Sequence, residues 1–225
     1  MKTIAFVAQK GGSGKSTLCI GLAVAARETG STVCMIEMDR QATVSDWAEI
    51  RKSEPPEVAQ VDATEIAAVL TRLSDCRYDY AFIDTPGAIG PETLAAIRAA
   101  DICIVPSRPT PADFRAIRPT LAAIYRMEKR FAFVLNQTPA NGCRVREAAD
   151  GLIALGVLPD VNIVLRNDHQ DALGAGQGVT EFNPGGKAAD EIRRLWRWVS
   201  ARADASGRSA AVRTRLDPEP HVRAA

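Results

Sequence analysis

The stretch 9-QKGGSGKST-17 decides how the rest of this chain is read. Gly14, Lys15 and Ser16 complete the phosphate-binding pattern G-x-x-x-x-G-K-[ST], but Gln9 stands where that pattern has its first glycine. A second lysine, Lys10, sits just before the pair Gly11-Gly12. The six residues upstream, TIAFVA at 3–8, form an apolar run too short for a helix and read as a buried parallel strand. Downstream, Leu18, Cys19, Leu22, Ala25 and Ala26 recur at helical spacing from 16 to 28, and Gly30 ends the helix.

A glycine-rich turn between strand and helix lets successive backbone N–H groups face phosphate oxygens, and the helix N-terminus adds positive potential there. Gly11, Gly12, Ser13, Gly14, Lys15, Ser16 and Thr17 are therefore the candidate cradle. Lys15 reaches the β- and γ-phosphates in such a loop, and the Ser16 hydroxyl completes a Mg²⁺ shell.

Bulk properties narrow the class. The 225 residues suffice for one full core, and 46% hydrophobic with 24% charged residues reads as globular. A net charge of +1 does not advertise nucleic-acid binding, although a local basic face fits inside a neutral total. The five cysteines are dispersed without a C-x-x-C pair, which suggests reduced, buried thiols and a cytoplasmic address. No apolar run approaches the roughly 18–20 residues of a membrane span.

Further strands are expected at 32–38, 58–61, 80–83, 102–105 and 131–135. Helices are expected at 43–51, 63–73, 91–100, from about 114 to 129, 144–155 and 188–201. The segment 106-PSRPTPADF-114 reads as a proline-rich loop, 160–183 stays ambiguous, and 203–225 reads as a disordered tail after a single domain at 1–202. Strands alternating with helices imply an α/β fold, a doubly wound, mostly parallel sheet with helices on both faces. Ligands of such sheets bind beyond the carboxyl ends of the strands. The loop 11–15, Asp39, Asp84, Pro106 and Asn136 all follow strands and are expected along one edge.

Asp84 is placed to meet Mg²⁺ directly or through water; its competing role is to start the turn Thr85-Pro86-Gly87. Asp39 fits either a cap for the helix near Thr43 or a carboxylate that orients or deprotonates attacking water.

With these residues in place, 10-KGGSGKST-17 resembles the deviant Walker A box of the ParA/MinD family of P-loop ATPases, with Lys10 at the family's signature lysine. The resemblance continues through Asp39-x-Gln41, Asp84-Thr85-Pro86, 105-VPSRPTPADF-114 and Asn136, covers roughly residues 1–200 and is closest to small plasmid-partition ParA proteins. It implies an ATP-dependent homodimer in which Lys10 reaches the partner's phosphates. It also implies slow ATP hydrolysis with Mg²⁺ that involves Lys15 and Asp39, and stimulation by an adaptor protein. Nonspecific DNA binding with a nucleoid-associated ATP state belongs to the same expectation. By the same resemblance Asn136 meets the adenine edge and Pro106 lines the base or the dimer interface; a turn asparagine and a rigid connector are the competing roles. Two departures loosen the switches: Arg40 replaces the usual proline, and Gly87 replaces a second one.

On the last helix, Ile192, Leu195, Trp196 and Val199 form an apolar face, leaving Lys187, Arg193, Arg194 and Arg197 as candidate phosphate contacts or as an ordinary solvated face. The tail has few large apolar residues and two late prolines, which argues against the membrane-binding helix of MinD itself. A nucleotide-dependent scaffold or a metabolic relative without DNA binding is the alternative.

Overall fold

Each strand that the apolar runs predict forms, and all pair in parallel. A computed structural model describes residues 1–52 and 55–205. Strands β1 (Lys2–Phe6), β2 (Val33–Glu37), β3 (Glu57–Gln60), β4 (Tyr80–Asp84), β5 (Ile102–Ser107) and β6 (Phe131–Leu135) make a six-stranded sheet in the order β3-β2-β4-β1-β5-β6. Phe6 and Glu37 both lie in register with Asp84, so β1, β4 and β2 end at the same level. β2 and β4 are buried throughout, as strands covered on both faces must be.

Helices α1 (Lys15–Glu28), α2 (Thr43–Ile50) and α9 (Lys187–Asp204) cover one face, joined by α7 (Asn167–Gly174) and α8 (Val179–Phe182). Helices α3 (Ile66–Asp75), α4 (Pro91–Ala99), α5 (Pro111–Arg126) and α6 (Cys143–Ile153) cover the other. α1 is buried on nearly every side, with Leu18 through Ala26 all inside. α9 lies directly on it: an added Cβ at Gly21 would sit 3.4 Å from Ile192 Cδ1. Ile192, Leu195, Trp196 and Val199 face the core as their spacing predicts, and Trp196 packs edge-on to Tyr80 at 4.9 Å.

Several expectations need correction. Pro106 is not in a loop; it lies inside β5 in register with Val134. β1 pairs with β5 only as far as Ile104, so the donor that proline lacks faces the side where β1 has already ended. α9 runs to Asp204, past the expected boundary at 202. The ambiguous stretch 160–183 contains α7 and α8. Residues 206–225, most of the expected tail, lie outside the described residues. Cys19, Cys34 and Cys103 are buried, but Cys76 and Cys143 are exposed. Among the described residues no helix is long and apolar enough to cross a membrane.

Candidate nucleotide-binding site

The glycine-rich loop leaves β1 at the centre of the sheet and enters α1 at Lys15. Gly14 carries a φ of 89°, and a Cβ there would lie 2.1 Å from Asn136 Nδ2. Glycine is required at 14 on both counts, conformation and space. The loop is held from the end of β6 by two carboxamides. Asn136 Nδ2 donates to Ser13 O at 2.8 Å and Gln137 Nε2 to Gly12 O at 3.1 Å. With these carbonyls engaged behind it, the loop's orientation is fixed by its neighbours. Asn136 is 3% exposed, so a contact to a base edge requires its carboxamide to leave Ser13 O.

Lys15 is 6% exposed and stands among carboxylates. Burial pulls its ammonium below the ordinary range, while Asp84 and Asp39 push it back up. Asp84 is fully buried, and burial pushes its carboxyl up to about 7; Glu37 and Asp39 add to the rise, whereas the bond from Ser16 and the charge of Lys15 oppose it. Ser16 Oγ donates to Asp84 Oδ2 at 2.5 Å. Asp84 Oδ1 is buried without a hydrogen-bond partner among the described residues. A hydroxyl beside a carboxylate with one oxygen to spare is a hard oxygen donor set, and it suits Mg²⁺, which takes one or two protein oxygens and completes its shell with phosphates and water. The residues present fit the ion.

Asp39 does not cap α2. Its Oδ1 accepts from Gln41 N at 3.0 Å, and the N-cap position falls to Ala42 in a left-handed conformation with φ of 54°. The missing cap is supplied by Glu37, a residue the apolar strand pattern concealed. Glu37 is 2% exposed; its Oε1 accepts from Asp39 N at 3.0 Å and its Oε2 from Val44 N at 2.8 Å. Gly87 also has a reason: a Cβ there would meet the Gly11 backbone nitrogen at 3.2 Å, so the absence of a side chain lets this segment touch the loop.

Lys10 lies at the mouth of the loop with a partner in its own chain. Its Nζ meets Asp113 Oδ2 at 2.8 Å, and Arg108 Nε meets Asp113 Oδ1 at 3.0 Å. Thr110 also donates to Asp113. Burial alone would raise the Asp113 carboxyl, but the bonds from Lys10, Thr110 and Arg108 hold it below the ordinary range. Asp113 and Gln137 were hidden in sequence, one inside a presumed loop and the other beside a more conspicuous asparagine.

The candidate phosphate contacts on α9 divide. Arg193 is engaged inside its own chain, paired with Glu28 at 2.9 Å and donating to Pro184 O and Thr180 O. Lys187, Arg194 and Arg197 are exposed. Arg193 thus differs from the other three in already having a carboxylate and two carbonyls as partners.

Residues 4–191 match the family described as the CobQ/CobB/MinD/ParA nucleotide binding domain. VirC1 of Rhizobium rhizogenes is 29% identical over 119 residues, 50% of this chain and 52% of that one. ParA of Rhizobium radiobacter is 30% identical over 116 residues, 50% of this chain and 51% of that one. The chain thus matches these relatives over about half of their length. MinD of Pyrococcus horikoshii OT3, solved with Mg-ADP, shares the fold with a TM-score of 0.72 at 18% identity, over 90% of this chain and 97% of that one. Motif, topology and profile agree, and the chain belongs to the MinD/ParA family of nucleotide-binding domains.

Proposed function

We propose that this protein is an ATP-driven partition or positioning switch. It binds Mg-ATP, pairs with a second copy through the nucleotide, holds nonspecific DNA in that state, and is released when an adaptor protein stimulates hydrolysis. The observation that carries this reading is the pair of lysines with different surroundings. Lys15 is buried among Asp84 and Asp39, whereas Lys10 is 35% exposed and held by Asp113 at the rim. A rim lysine can exchange one anionic partner for another. The triphosphate of a facing subunit offers more charge than one carboxylate, so dimerisation is coupled to ATP.

Within one subunit the work divides among this chain's own groups. Backbone N–H groups of the loop and Lys15 bind phosphate. Ser16 and Asp84 would hold Mg²⁺, which neutralises charge on the phosphates when bound. Asp39 orients the water or takes its proton. On this reading Lys187, Arg194 and Arg197, brought together twice in a dimer, meet DNA phosphates in a salt-sensitive way.

Light scattering without nucleotide, with ADP and with ATP, each with and without random-sequence duplex DNA at two salt concentrations, tests the whole scheme. ATP-specific dimers that bind DNA more weakly at the higher salt are expected. Lys10→Ala should still bind ATP yet remain monomeric; a variant that dimerises normally removes the trans role. Dimers indifferent to DNA would leave a nucleotide-dependent scaffold. Asp39→Ala should retain ATP and lose turnover by roughly a hundredfold or more. A turnover assay with radiolabelled ATP that finds the normal rate would remove Asp39 from the chemistry.

A further inference from the structure

The segment between β2 and α2 has to present Asp39 in a fixed pose, yet it lacks the usual devices for doing so. Arg40 supplies no fixed φ, no N-cap side chain bonds to α2, and Ala42 sits at a φ of 54° that alanine adopts at a cost. Short stretches of this kind persist only when their surroundings over-determine them. Besides the turn bond from Ala42 N to Asp39 O and the buried Val44 side chain, one carboxylate holds the segment from outside. Glu37 ends β2 in register with Asp84, is 2% exposed, and accepts from the backbone N–H groups at both ends of the segment, Asp39 and Val44.

We infer that Glu37 is a positioning residue for hydrolysis, a clasp that closes the 39–44 segment and sets the Asp39 carboxylate over the phosphate loop. The inference rests on the catalytic reading of Asp39. Two N–H donors from opposite ends of a six-residue segment converge on the two oxygens of one side chain, so any movement of the segment stretches at least one bond. Because the carboxylate is buried, water does not replace a lost bond readily. The Asp39 side chain is fixed in turn by the Gln41 N–H at 3.0 Å, within the clasped stretch. Glu37 itself touches neither loop nor nucleotide in this scheme. Its hydrogen bonds act through Asp39, while its charge is also felt by Asp84 and is kept in Glu37→Asp.

Glu37→Gln tests this. The amide keeps the shape but replaces one acceptor by a donor, which opposes an N–H at one end of the segment. ATP affinity is expected to stay within about threefold of wild type, while single-turnover hydrolysis falls roughly tenfold to a hundredfold. Hydrogen exchange at the Asp39 and Val44 amides should accelerate in Glu37→Gln but not in Asp39→Ala, which loses only the Gln41 bond and keeps the clasp intact. Glu37→Asp, with both oxygens but a shorter reach, should recover part of the rate and part of the protection, and it carries the test should the glutamine variant fail to fold. Unchanged turnover in Glu37→Gln overturns the inference, and so does lost turnover with wild-type exchange at the Asp39 and Val44 amides. Wild-type turnover in Asp39→Ala would instead overturn the catalytic reading, and with it the step the clasp serves.

Discussion

Lys15→Ala is expected to abolish ATP binding at any practical concentration, a loss of roughly a hundredfold or more. The lysine is 6% exposed, so it meets phosphate in a place that water barely reaches. Removing one partner of such a buried charge pair costs about 2–5 kcal/mol. A second effect works in the same direction. Lys15 opposes the mutual repulsion of Asp84 and Asp39, as the direction of each group's influence shows. Without it two carboxylates face an incoming tetra-anion uncompensated. Isothermal titration with a non-hydrolysable ATP analogue measures the effect, and normal affinity in the variant would sink the whole nucleotide assignment.

Asp84→Asn should act in opposite directions on stability and on activity. The carboxyl is fully buried, and it is raised from 3.8 to about 7. A carboxylate whose folded value lies above its unfolded one favours the fold most when protonated. Its stability contribution is complete below about 4 and is lost as pH rises through about 7. The loss is on the order of 4 kcal/mol once the group is ionised. Asparagine never ionises. The Mg²⁺-free, nucleotide-free variant should therefore melt close to wild type near pH 4 and above it at pH 8, by roughly 10 °C. In the presence of Mg-ATP the same variant should be inactive, since the spare oxygen of Asp84 is the donor offered to the ion. Melting curves across pH in a chelating buffer decide the first half; a pH-independent difference between variant and wild type would contradict it.

The same crowding of carboxylates explains what the sequence could and could not disclose. A lysine after Gly14 and an aspartate after an apolar strand are local patterns, so the loop, Lys15, Ser16 and the parallel sheet were legible from spacing alone. Glu37 was not. It is the last residue of an apolar strand, and its meaning comes from Val44, seven residues on, whose N–H it accepts. Asp113 was not legible either, because its partner Lys10 is 103 residues away. Pro106 misled, since proline in a strand is tolerated only where a neighbouring strand has stopped, and sequence does not say where β1 stops. Nor did helical spacing disclose that Arg193 pairs with Glu28 of α1.

α1 connects the two ends of the molecule that matter. Its first residue is Lys15, its length is buried, and α9 is seated on it through Gly21 and Ile192. A helix packed on nearly every side neither slides nor turns without disrupting the core. Nucleotide at the head of this piece therefore has little freedom to move α9, which carries Lys187, Arg194 and Arg197. If two copies pair as proposed, what the second subunit changes is number: the same surface would be presented twice to one polyanion. Two weak attachments on a rigid frame hold far longer than either alone. On the proposed reading the protein would be regulated as a valency counter, its grip on DNA set by how many copies are joined rather than by what shape each one takes.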